Sequence, residues 1–150
     1  MRKGFGLLQV LLVIILVSTI LIIAMKYALV SAKQTSDIYS KQSAELFLNS
    51  AVEMTLLAIS GYKRDAINGC LREVNITSPD KRFIADVNIT KYYLLSGSAD
   101  CGYCGALCEP IKTDDSQGMV MLEVVVKTNP NNPKNRGKNI VLTRRTLQRP

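Results

Sequence analysis

LLQVLLVIILVSTILIIAM, residues 7–25, is the stretch on which the fold turns. Only Gln9, Ser18 and Thr19 interrupt it, and it carries no charge. A helix rises about 1.5 Å per residue, so roughly 19 residues match the ~30 Å hydrocarbon core of a bilayer. The stretch is apolar all round, the pattern of a lipid-embedded helix, whereas a soluble core helix is apolar on one side. Arg2 and Lys3 precede it and Lys26 closes it. Positive charge favours the cytoplasmic side, so the chain is expected to start there and to lie outside after Lys26. This gives a membrane span over residues 5–26 and an extracytoplasmic domain over 27–150.

Outward from the span, the helical pattern does not stop. From Tyr27 to Ile59 there is neither proline nor glycine, and the breaking signal arrives at Ser60-Gly61. Ala44, Phe47, Ala51, Met54 and Ala58 recur at helical spacing, with Leu48, Val52, Thr55 and Ile59 as the neighbouring row. Lys33, Asp37, Lys41, Glu45 and Glu53 share the other side. The pattern predicts one helix from Phe5 to Ile59, membrane-embedded in its first half and amphipathic over 27–60.

Over 61–150 the period changes to two. In Phe83–Leu95, alternation puts Phe83, Ala85, Val87, Ile89, Tyr93 and Leu95 on one face and Asp86, Asn88 and Thr90 on the other. MVMLEVVVK, from Met119 to Lys127, is a second strand, and NIVLTRRTL, from Asn139 to Leu147, a third. The turn-forming NPNNPKNRGK between the last two predicts an antiparallel pair. The fold class is α+β: a long N-terminal helix packed on a small antiparallel sheet. Ser96–Gly118 is long and aperiodic, and a structureless loop of that length calls for a staple.

The cysteines supply one. Four are present, at Cys70, Cys101, Cys104 and Cys108, and outside the cytoplasm an even count reads as two disulfides. Three pairings are open. The expectation is Cys70 with one of the loop trio and the other two together. Histidine is absent from the chain, which removes Ser-His-Asp and Cys-His catalysis and histidine metal sites. No catalytic constellation remains, and neither enzyme activity nor a cofactor is expected.

Arg2-Lys3-Gly4-Phe5 followed at once by the apolar helix resembles the signal of type IV pilins and type II secretion pseudopilins. The resemblance at motif level covers Met1 to Lys26; the rest agrees in layout. It implies residues 1–4 as a leader, cut by a prepilin peptidase between Gly4 and Phe5, with Phe5 methylated. It further implies a structural subunit of a secretion, competence or pilus machine in the bacterial inner membrane, its domain in the periplasm. The implied partners are the peptidase, other pilin or pseudopilin subunits, an inner-membrane assembly platform and the lipid bilayer. The family usually carries a glutamate at the fifth mature position, where this chain has Gln9. Loss of that carboxylate weakens repeated stacking in an apolar fibre core, which points to a minor subunit. Two rival readings change the fate of the helix, and the first would sever it. Val30-Ser31-Ala32 fits conventional signal peptidase cleavage, and an uncleaved anchor would carry a binding module.

Other patterns carry weaker expectations. Cys101-Gly-Tyr-Cys104 has the spacing of thiol oxidoreductases and zinc sites, although no thioredoxin-like pattern precedes it. Glu73-Val-Asn75-Ile-Thr77 and Asp86-Val-Asn88-Ile-Thr90 are glycosylation acceptors at Asn75 and Asn88, with the acid that some bacterial transferases require. Lys127, Lys134, Arg136, Lys138, Arg144, Arg145 and Arg149 form an acid-free run that could track the phosphates of DNA, though without stacking aromatics. Asp114-Asp115 is too small a set for calcium.

Overall fold

A computed structural model describes residues 5–112, 118–135 and 139–150. Arg2, Lys3, Gly4, Asp114, Asp115, Arg136 and Lys138 lie outside the described residues. Contacts divide the chain into two units, Met1–Ser40 and Lys41–Pro150. Helix α1, Phe5–Gly61, runs through 57 residues. It ends where Ser60-Gly61 withdraws helix-forming side chains, with the Tyr62 amide donating to the Ile59 carbonyl at 3.3 Å.

The second unit is a sheet with one half of α1 on its face. Strands β1 (Glu73–Thr77), β2 (Phe83–Leu95), β4 (Met119–Thr128) and β5 (Val141–Gln148) lie in the order β1-β2-β4-β5, all antiparallel. The loop before β4 is not structureless. It forms α2 (Ala99–Cys104), a 3-10 turn and β3 (Cys108–Ile111), which pairs parallel to β2 along Tyr92–Leu95. The sheet is therefore antiparallel except at this short strand.

Strand β2 corrects one expectation. Alternation holds through Ile89, and then the register against β4 slips between Ile89 and Lys91. The bulge at Thr90, whose hydroxyl donates to the Met121 carbonyl at 3.1 Å, reverses the faces beyond it. Tyr92 and Leu94 are buried where Tyr93 and Leu95 were expected. The helical stripe is likewise rotated: Ala44, Phe47, Leu48, Ala51, Val52, Thr55 and Ile59 are buried, whereas Met54 is 45% exposed. Spacings of three and four put residue 54 at the margin of a face centred on Ala44, Leu48, Ala51 and Thr55.

Ala44 and Ala51 are fully buried among Phe83, Ala85, Val87, Ile89, Val120, Leu122, Val124 and Val126 of the sheet. Small side chains there let the helix backbone approach the sheet, and the rings of Phe47 and Phe83 stack beside them at 6.3 Å. The buried Thr55 hydroxyl donates to the Ala51 carbonyl at 2.7 Å, so that hydroxyl is satisfied within the helix. Tyr92 is fully buried, and its hydroxyl donates to the Leu71 carbonyl at 2.7 Å.

Replacing Ala51 with leucine should cost about 1–3 kcal/mol through overpacking, read as a lower thermal midpoint with an unchanged circular dichroism spectrum at low temperature. Burial pushes the Tyr92 phenol from 10.0 up to about 12, against the opposing charge of Arg64. A raised acid favours the protonated native state, so this contribution is complete below pH ~10 and fades as pH approaches ~12. Alkaline titration should show a loss of stability in that window, and Tyr92→Phe should flatten the slope there.

Candidate functional site

Two regions stand out: the exposed apolar half of α1 in the first unit, and a braced cystine module in the second. From Leu7 to Val30 every large apolar side chain is more than half exposed. The helix is long and apolar enough to cross a membrane, with a mean hydropathy of 3.0 over its most apolar window and none of that window buried. Gln9 is exposed within it, one turn after Phe5. The Ser18 and Thr19 hydroxyls donate to the Ile15 and Leu16 carbonyls at 2.9 and 2.8 Å, which hides their polarity from an apolar surrounding.

In the cystine module Cys70 pairs with Cys104 and Cys101 with Cys108, with Cα atoms 4.9 and 5.4 Å apart. No cysteine is free. The two cysteines of the C-x-x-C therefore bind other partners, and no thiol is left for redox chemistry or zinc. Bridge Cys70–Cys104 spans 34 residues and contributes about 3–4 kcal/mol by the loop-entropy model. It ties the segment after α1 to α2. Arg64 reinforces the tie: its guanidinium meets Asp100 at 3.3 Å and lies over the Tyr92 ring at 5.5 Å. The tied segment folds as a tight turn. The Asp65 carboxylate accepts from the Ile67 and Asn68 amides at 3.0 and 2.7 Å, and the Tyr62 hydroxyl donates to the Asn68 carbonyl at 3.2 Å. Gly69 has φ +64°, and a side chain there would sit against the Tyr103 carbonyl. The turn leaves Ile67 94% exposed at its tip.

Those two motifs turn out to face each other. Antiparallel pairing sets Glu73 opposite Asn88 and Asn75 opposite Asp86, around the central pair Val74 and Val87. Both asparagines are exposed on the face away from α1, as alternation requires. The amide of Asn75 also donates to Glu73 at 3.4 Å. Each acid thus lies opposite an amide across the strands.

Among the described residues, the basic side chains of β4 and β5 are divided between two faces of the sheet. In β5, Arg144 is on the helix side, where it donates to the Asn49 side chain of α1 at 2.6 Å, and Arg145 is on the outer side opposite Glu123. Lys127 forms an ion pair with Asp86. No known family model, curated protein or solved structure matches the chain.

The bridges differ in exposure: Cys70 and Cys104 are 8% and 3% exposed, whereas Cys101 and Cys108 are half-buried. Limited dithiothreitol followed by alkylation and peptide mass spectrometry should label Cys101 and Cys108 first, with Cys70–Cys104 intact until the domain opens.

Proposed function

We propose that the chain is a pilin-class structural subunit, held in the bacterial inner membrane by the first half of α1 and assembled through it. The observation that supports this reading is the division of a single helix into two solvents. Up to Val30 its large side chains are exposed on all sides, and from Ala44 to Ile59 one stripe is the core of an α+β domain. Lipid satisfies the first half before assembly, and the apolar helices of fellow subunits would satisfy it afterwards. No hydrophobic force drives helices together in lipid, so association rests on packing and on the few polar groups present.

Gln9 is the polar group nearest the N-terminus of α1. At four residues from Phe5 its side chain reaches the level of an N-terminal amine freed by cutting after Gly4. A carboxylate would pair that ammonium ion strongly in a low-dielectric surrounding; an amide offers an ordinary hydrogen bond. The chain is therefore suited to few positions in an assembly, the role of a minor subunit, with its domain in the periplasm and its start in the cytoplasm. The basic residues of β4 and β5 are engaged or split between two faces, which gives less support to DNA contact.

Mass spectrometry of the protein from cells with and without prepilin peptidase tests the reading. The expected mature chain begins at a methylated Phe5 only where the peptidase is present. A start at Met1 or Lys33 in both strains would sink it.

A further inference from the structure

We propose that the two free edges of the sheet bind each other between copies of this chain, β5 of one copy against β1 of the next. The sheet is open: β1 and β5 are its outer strands, and no strand pairs with their far edges among the described residues. Three features of the edges agree with this pairing. The first is direction. Strands alternate along β1-β2-β4-β5, so β1 and β5 run oppositely, and a copy shifted along the sheet presents its β1 antiparallel to β5.

The second is hydrogen-bond phase. The Thr128 amide donates to the Ile140 carbonyl at 3.0 Å, so the backbone groups of Leu142, Arg144 and Thr146 turn toward β4. Those of Val141, Thr143 and Arg145 therefore point outward. On β1, the Ile89 amide donates to the Arg72 carbonyl at 2.8 Å and the Ser78 amide to the Phe83 carbonyl at 2.9 Å. Glu73, Asn75 and Thr77 are consequently the residues with outward backbone groups.

The third is charge and face. Setting Arg145 against the next copy's Glu73 pairs Thr143 with Asn75 and Val141 with Thr77, so outward groups meet outward groups throughout. In the same register Leu142 meets Ile76 and Arg144 meets Val74, all on the side that faces α1. Neither Arg145 nor Glu73 has a salt-bridge partner among the described residues. The two-fold alternative, β5 against β5, brings Arg144 and Arg145 of both copies together and is disfavoured by like charge. Pairing between different edges leaves a free edge at each end of the pair, so it builds a short run and not a closed dimer. This inference goes beyond the assembly reading, which places the chain at few positions: it adds contact between copies and rests on the sheet and not on α1.

The test uses the full chain in detergent, mixed from light and heavy isotope preparations. Arg145→Lys supplies an amine that zero-length carbodiimide can join to Glu73. Within one copy these positions are about 14 Å apart, three strand spacings, so the link cannot close internally. The expected product is a mixed-label peptide joining positions 145 and 73. Thr143→Pro removes an outward amide that β4 does not use, and should abolish the link while leaving the fold intact. In the native background, Arg145→Glu or Glu73→Arg should weaken self-association about fivefold, and the two together should restore it. Absence of the mixed-label link, its persistence in Thr143→Pro, or a double reversal no better than the single ones would overturn edge pairing. A correctly processed N-terminus alongside that failure would leave the assembly reading standing.

Discussion

The domain depends on covering one stripe of one helix. Ala44, Leu48, Ala51, Thr55 and Ile59 are buried and are apolar or internally satisfied, and leaving the stripe in water would forfeit the apolar burial of the helix in the core. The alternation of β2 and β4 answers that stripe. Ala85, Val87, Ile89, Val120, Leu122, Val124 and Val126 are all turned to it, and the residues between them are half-buried or exposed on the other face. Alanines at positions 44 and 51 set the distance between the layers, and the Phe47–Phe83 stack fills one margin. From this one contact follow the phase of each strand, the outward placement of Asn75 and Asn88, and the backbone direction at both edges.

The long periodic elements were legible in the sequence. Ser60-Gly61 marked the end of α1, and the run Met119–Lys127 marked β4, because both signals are local. What escaped was decided by contacts distant in sequence. The bulge at Thr90 is a misfit between β2 and β4, visible only once they are in register, and it moved burial from Tyr93 and Leu95 to Tyr92 and Leu94. Strand β3 has four residues and includes Pro110, so it carries no readable period; it forms because β2 outruns β1 and leaves Tyr92–Leu95 unpaired on that side. Met54 fell off the core because a pattern of threes and fours fits two adjacent stripes, and the sheet selects one.

The cystine module was half legible. Composition and compartment pointed to two bridges, with Cys70 tied into the loop, but the choice of Cys104 over Cys101 or Cys108 needed the fold. In α2 the side chain of Cys104 is buried and bonded to Cys70, while the half-buried Cys101 is bonded to Cys108 of β3. The turn at Asp65–Gly69 belongs to the same construction. It is braced by a carboxylate, a tyrosine hydroxyl and the adjacent bridge, and it buries almost nothing itself.

This contrast explains where covalent links are placed in the chain. Between α1 and the four main strands, apolar burial fixes the geometry with the Arg144–Asn49 hydrogen bond at its margin, and no cysteine lies there. At the end of the sheet beyond the bulge, the helix has stopped at Gly61 and cannot cover β2 further. Tyr92 and Leu94 are the last large side chains of β2 in the core, and the Tyr92 hydroxyl, with Arg64 over its ring, adds polar contacts at that end. Beyond it, α2 and β3 are too short to hold themselves by burial, and restricting the unfolded chain becomes the more effective source of stability. The two bridges begin where the helix ends.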